Sequence, residues 1–455
     1  MEKHMKLTID FSNEIGKIKA MHAVGQPPIY GQNMTYFHYL TDAHIPYSRL
    51  HDTGGVFGKN MYVDIPNLFR DFDADENDPA SYDFALTDNL LKKLCENGVK
   101  PYFRLGVTIE NFSVTFHPYR IYPPKDFAKW ARICEHVIRH YNEGWADGYH
   151  LEIEYWEIWN EPEGYPFYPA PMFLGTKEQY FDLYATTAKH LKKCFGDSIK
   201  VGGYASCGFY AITNENVIRA LERGCTDALS NDDKRALYFK EFFEDFLTFV
   251  REENAPLDFF SYHSYSSVSN TLVWEKYVEN ALSAAGLLDK IEIHMNEWNT
   301  HPGVENMGTA GAAAASAAMM CGMQDTRMDM LMFYDARLGV SDYCGLFDPR
   351  WRRPFCTYDA FLSFGHLYAL GEQVKVEGAG DGLYATAAKG GKEKAILLAN
   401  IGEKKEIFLK LEEKYYAYAV TDDTRMKPIS IDPMSFEIEK ETFVFLTTEE
   451  IEIPA

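Results

Sequence analysis

Strand-like and helix-like runs alternate along this chain from about residue 20 to residue 370, and no other feature restricts its fold as much. Apolar, β-branched and aromatic runs fall at Ile45–Leu50, Val99–Leu105, Ile153–Trp159, Ile199–Tyr204, Leu257–His263, Ile291–Met295 and Met328–Tyr334, with a less regular one near Met21–Gly25. Helical periodicity fills the gaps. Leu86, Leu90 and Leu94 recur at four-residue spacing before Asn97-Gly98, a natural stop. Phe127, Trp130, Cys134, Ile138 and Tyr141 form a second apolar face, opened by Pro123-Pro124-Lys125-Asp126. Tyr180, Tyr184, Thr187 and Leu191 form a third, ended by Gly196, and Phe239, Phe242, Phe246 and Val250 a fourth. Eight strands alternating with helices predict an α/β fold, a (β/α)₈ TIM barrel whose working residues stand at the C-terminal strand ends.

The pattern changes after Gly371. Polar and apolar residues alternate from Gly382, hairpin signals stand at Gly390-Gly391 and Asn400-Ile401-Gly402, and Phe443–Leu446 reads as a buried strand. The expected division is a catalytic barrel over residues 15–370 and a smaller C-terminal β-sandwich domain over 371–455, joined by an N-terminal strand within residues 1–14. The Ala-rich stretch between Gly308 and Gly322 is too short to span a bilayer; its small side chains suit a helix packed close to the barrel.

Composition narrows the partners. The net charge is −22, from 45 basic and 67 acidic residues, a field that repels nucleic acid and anionic membranes. No run reaches membrane-spanning length and the first residues carry no apolar signal core, so a cytoplasmic location is expected. The eight cysteines form no CxxC pair and fall in apolar patterns, as buried thiols of a reducing compartment do. No metal or other cofactor is implied. A homo-oligomer stays open. Aromatics reach 15%, which suits either a large core or a cleft that stacks sugar rings.

Two strands end on glutamates. The first closes as Tyr155-Trp156-Glu157-Ile158-Trp159-Asn160-Glu161-Pro162, the second as His294-Met295-Asn296-Glu297-Trp298-Asn299. Glycosidic cleavage needs a proton for the leaving oxygen and a negative group facing the anomeric carbon. A parallel barrel brings distant strand ends to one mouth. Glu161 is the expected acid/base and Glu297 the expected nucleophile of a retaining, exo-acting glycosidase on small oligosaccharides or glycosides, with one of the two carboxyls tuned to stay protonated. Asn160 is placed to bond a sugar hydroxyl.

On these segments the chain resembles clan A of the glycoside hydrolases, and within it family 39, which holds β-xylosidases and α-L-iduronidases. Val99–Phe103, Glu157–Pro162, Lys200–Gly203, Asp258–Tyr265 and Asn296–Asn299 match in order, over roughly residues 40 to 370. The resemblance implies that Arg49 braces the nucleophile, that His51 and His263 contact the sugar, and that Tyr265 bonds the nucleophile. Trp298 and Tyr334, also at strand ends, complete the expected substrate-binding set. The chain departs from the pattern twice. Glu163 stands where Asn is usual, and Arg104 where an acidic residue is usual. Arg104 either faces the pocket and favours an anionic sugar or pairs with a nearby acid.

Two other readings stay open at this level. A non-catalytic carbohydrate-binding barrel is free to lose a carboxylate, yet both remain. A metal-dependent sugar isomerase would gather groups such as His51, His263 and Glu297 around a divalent cation. A serine hydrolase has no support, because Ser206 lacks the preceding glycine of a nucleophile elbow.

Overall fold

The structure is a computed structural model that describes residues 3–30, 33–50, 63–107, 120–169, 171–432 and 434–454. Eight parallel strands close into a barrel. They are β1 (Ala20–Gly25), β2 (Tyr47–Leu50), β3 (Lys100–Leu105), β4 (Tyr155–Ile158), β5 (Lys200–Ser206), β6 (Phe259–Ser264), β7 (Glu292–Trp298) and β8 (Met330–Phe333). Each is followed by a helix: α1 (His38–Asp42), α2 (Ala85–Glu96), α3 (Phe127–Glu143), α4 (Lys177–Phe195), α5 (Asn231–Glu252), α6 (Val268–Ala284), α7 (Ala310–Gln324) and α8 (Cys356–Leu370). An additional helix, Glu215–Arg223, precedes α5. The barrel expected from the sequence is therefore present.

The chain divides into two compact units, residues 47–264 with 273–297, and residues 1–46 with 265–272 and 298–455. In the first, helix ends follow the local signals. Asp126 caps α3 by accepting the Lys129 N–H, and Thr176 with Gln179 forms a reciprocal capping box on α4. The barrel interior is packed, not hollow. Tyr47, Tyr102, Tyr155, Phe259 and His294 meet ring to ring, with Tyr102–Tyr155 at 5.2 Å and Phe259–His294 at 4.9 Å. Strand β5 approaches β6 so closely at Gly202 that a Cβ there would meet the Phe259 carbonyl oxygen at 2.2 Å. Only glycine fits that contact.

In the second unit, two sheets enclose a core of their own. A seven-stranded sheet runs in the spatial order 427–429, 416–420, 442–447, 393–400, 383–390, 372–377 and 8–17. A three-stranded sheet takes 3–6, 405–408 and 435–438. Val374, Ile396, Leu398 and Val444 of the first meet Ile407, Phe436 and Ile438 of the second. The N-terminal segment supplies a strand to each sheet. The Gly390-Gly391 signal is a hairpin joining 383–390 to 393–400.

The Asn400-Ile401-Gly402 signal corrects a sequence expectation. It makes a turn but no hairpin: strand 393–400 stays in the large sheet while 405–408 crosses to the small one. The Asn400 amide explains the crossing, because it donates to the carbonyls of Glu403, Ile438 and Glu439 and so ties the turn to the small sheet's return.

The Ala-rich helix α7 packs against β1 on one side and the large sheet on the other. A helix buried on nearly every face must be apolar all round and small, which accounts for its Ala content. No described helix is long and apolar enough to cross a membrane.

Candidate active site

Two residues beyond the aromatic layer, the same strands change character. Arg49, Glu157, Ser261 and Asn296 stand where Tyr47, Tyr155, Phe259 and His294 stood one pleat earlier. All four are buried. Polar groups at this depth persist only when they satisfy one another. Glu157 does so by accepting from Ser261 Oγ at 2.6 Å, from the Asn296 amide, and from Arg49 Nε at 2.8 Å.

Arg49 then passes this order upward. Its Nη1 donates to Glu297 Oε1 at 2.6 Å and its Nη2 to Asn160 Oδ1 at 2.6 Å. Burial alone would weaken the guanidinium's hold on its proton, but Glu157 and Glu297 outweigh burial and keep it charged. Replacing Arg49 by Ala would leave two buried carboxylates without their countercharge. Breaking a buried pair in this way costs about 3–5 kcal/mol, so chemical denaturation of Arg49→Ala should show a large loss of stability. An unchanged midpoint would mean that this network does not hold the barrel's centre together.

The two glutamates meet through a histidine. His263 Nδ1 donates to Glu161 Oε1 at 2.7 Å and lies 3.4 Å from Glu297 Oε2. One carboxylate oxygen from each of Glu161 and Glu297 and one ring nitrogen of His263 all lie within 4.8 Å of one another. Burial disfavours a charged imidazole, yet Glu297 and Glu161 together hold the His263 pKa above its ordinary value. Glu161 itself keeps about a fifth of its side chain exposed, while Glu297 is almost enclosed.

Local backbone aims Glu161. Trp159 and Glu161 adopt φ of 71° and 45°, a region that residues with a Cβ seldom occupy. Both are over-determined by their surroundings. Trp159 N–H donates to the Leu105 carbonyl, its indole donates to Met172, and its ring packs against Trp130 and Phe173.

The expected site residues separate into groups. Arg49, Asn160, Glu161, His263 and Glu297 are brought together. Tyr265 and Tyr334 join Tyr343 in an aromatic cluster, with centroids of Tyr265–Tyr343 at 5.1 Å and Tyr334–Tyr343 at 5.5 Å. His51 lies outside the described residues.

Two expectations are corrected. Arg104 is fully buried and paired with Asp64 at 2.8 Å, donating also to the Val107 carbonyl, so the pairing alternative describes it and its charge is spent inside the protein. Trp298 is fully buried between Phe333 and Phe361, leaving no ring face for a sugar. Glu157, Ser261 and Asn296 were missed as site residues. A carboxylate in the middle of the apolar run Tyr155–Ile158 was itself the signal, since a charge is retained there only with partners.

The model of the glycosyl hydrolases family 39 matches residues 59–306, more than half of the chain. The chain belongs to that family. Among family relatives, a beta-xylosidase from Geobacillus stearothermophilus is 25% identical over 219 residues, which is 47% of this chain and 36% of the relative. The match thus spans about a third of that relative's length. Among solved structures, a glucosidase from Croceicoccus marinus aligns with a TM-score of 0.75 at 20% identity, covering 98% of this chain and 99% of the other. A family 39 beta-xylosidase from Caulobacter crescentus aligns at 0.67 and 16% identity, covering 98% and 100%. At those identities the structural likeness speaks for the fold.

Proposed function

We propose that this family 39 chain is a retaining, exo-acting glycoside hydrolase, β-xylosidase-like, that cleaves small oligosaccharides or glycosides by double displacement. One observation carries the reading: two glutamates from separate strand ends, one oxygen of each within 4.8 Å of the other, one braced by a buried arginine and both touched by one imidazole. Retaining enzymes hold their carboxyl groups about 5–5.5 Å apart, whereas inverting ones leave about 6.5–9.5 Å for a water. The spacing here supports the first.

In this reading Arg49 orients Glu297 through Oε1, leaving Oε2 to attack the anomeric carbon. Glu161 delivers its proton to the departing oxygen as the C–O bond breaks, giving a glycosyl ester on Glu297. Glu161, now ionised, takes a proton from water as that water attacks the ester carbon, and Glu297 leaves as carboxylate. His263, whose pKa is held above its ordinary value by Glu297 and Glu161, restrains both side chains. Asn160, anchored by Arg49, is assigned to a sugar hydroxyl. The cysteines, all free and mostly buried, support a reducing, cytoplasmic setting. We divide the chain into a catalytic barrel over residues 15–370 and a smaller β-rich part, residues 371–455 with the N-terminal strand.

The test is a panel of nitrophenyl glycosides, with β-xyloside, α-L-arabinopyranoside, β-galactoside and a uronide included. Release from one sugar supports the reading and names the subsite; silence across the panel, with larger oligosaccharides also intact, favours a carbohydrate-binding barrel. The isomerase alternative places a divalent cation on His51, His263 and Glu297; His51 lies outside the described residues, and among those described Glu161 is the group beside His263 and Glu297. The Arg49 guanidinium already occupies one oxygen of Glu297, which disfavours a second cation beside it. Activity should therefore survive dialysis against EDTA, and loss that is restored by added metal would reinstate the alternative.

A further inference from the structure

The turn that carries Glu161 is fastened at two points to the C-terminal end of β5 and the residue after it. Glu161 N–H donates to the Ala205 carbonyl at 3.1 Å, and Cys207 N–H donates to Glu163 Oε1 at 2.6 Å. The first of these bonds joins two unusual residues, since Ala205 has φ of 56° and Glu161 φ of 45°. Backbone held in that region needs outside support. Glu163 provides it from two residues away.

The surroundings of Glu163 are odd for a carboxylate. It is fully buried, and Oε2 has no well-formed hydrogen bond among the described residues, although the Ser206 hydroxyl is near enough to favour the charge. Strand β5 and helices α4 and α5 pack against the turn. The titratable groups they present are Tyr204 with Cys207, Tyr180 and Tyr238. Tyr168 approaches through Cys207, and Glu161 lies on the turn itself. Arg235 of α5 stacks over the Tyr168 ring and pairs with Asp232. Burial, opposed by backbone N–H groups and reinforced by Glu161, pushes Glu163 up to about 7.

We propose that Glu163 is a positioning residue: held as a neutral carboxylic acid, it staples the Glu161 turn to the end of β5 without setting a second negative charge against the acid/base group. The proposal rests on the role assigned to Glu161 above. A carboxyl whose folded-state pKa is raised opposes folding increasingly as pH climbs from its unfolded value to its folded one, here from 4.5 to about 7. Glu163→Gln keeps an acceptor for Cys207 and removes this titration.

The experiment compares wild type, Glu163→Gln and Glu163→Ala in two readouts. Across that pH window the melting temperature of Glu163→Gln should rise relative to wild type by about 2–4 °C, then run parallel above it. With glycosides of poor leaving groups, Glu163→Ala should lose roughly tenfold or more in kcat/KM, activated aryl glycosides much less, and Glu163→Gln should recover most of the loss. A melting difference that is flat with pH overturns the proposal. So do equal losses on both substrate classes without recovery in Glu163→Gln. If wild type cleaves no glycoside, the proposed function fails instead, and the melting series still decides whether Glu163 is held neutral.

Discussion

Glu297→Ala should abolish turnover while leaving a folded barrel. In the proposed mechanism Glu297 forms the bond to the anomeric carbon, so its removal takes away a reaction path and not merely a contact. Loss of an enzymatic nucleophile lowers kcat on the order of 10⁵-fold or more. The alanine also relieves Arg49 of one acid but leaves Glu157 to balance the guanidinium at 2.6 Å, which is why folding should survive. The check is hydrolysis of the best nitrophenyl glycoside beside a melting curve. Activity within tenfold of wild type, in protein free of wild-type contamination, would remove Glu297 as nucleophile. A complementary gain is expected when formate or azide is supplied to the alanine protein with an activated substrate. A small anion can enter the space vacated by the side chain and attack directly, giving a product of inverted configuration.

Glu161→Ala should separate substrates by their leaving groups. A sugar alkoxide leaves poorly without a proton, so those substrates should lose about 10²–10⁴-fold, the usual worth of a positioned general acid. A dinitrophenolate leaves without help, so its first step should change little. The second step then becomes limiting, because no base remains to take the proton of the attacking water. Azide needs no base, and should restore turnover on the activated substrate while accumulating a glycosyl azide of retained configuration. Equal losses on both substrate classes, with no azide effect, would show that Glu161 serves binding or folding instead. Together the two variants read opposite faces of the sugar: rescue with inversion in one and retention in the other is a signature that a binding barrel or an isomerase does not produce.

The barrel was legible because its determinants are local and repeated. Each strand run is apolar and ends near a turn signal, and each helix carries its own apolar stripe and caps, as with Asp126 on α3 and Thr176 on α4. The paired glutamates were legible for a related reason. Each sits at the end of a recognisable strand, and a closed parallel barrel brings strand ends to one mouth whatever their separation in sequence.

Trp298 and the Asn400 turn were misread, and Arg104 was left between two readings, because each depends on what comes to meet it from elsewhere in the chain. Arg104 could be assigned to a pocket until Asp64, from a distant segment, was found against it. Trp298 looked like a sugar platform beside the nucleophile, but Phe333 and Phe361 close over its ring. The Asn400 turn carries hairpin residues, yet its amide reaches carbonyls near residue 438 and sends the chain to another sheet. Glu157, hidden inside a strand motif, became intelligible only with Arg49, Ser261 and Asn296 around it.

The residue pattern alone was enough for the fold and for two glutamates at strand ends, since periodicity, capping and side-chain type act within a few residues of themselves. Folding in three dimensions assigned the charges: which acid is braced, which is buried with no cation beside it among the described residues, and which arginine is already paired. Electrostatic energies depend on distance and burial through space, and neither quantity is written in the order of the residues.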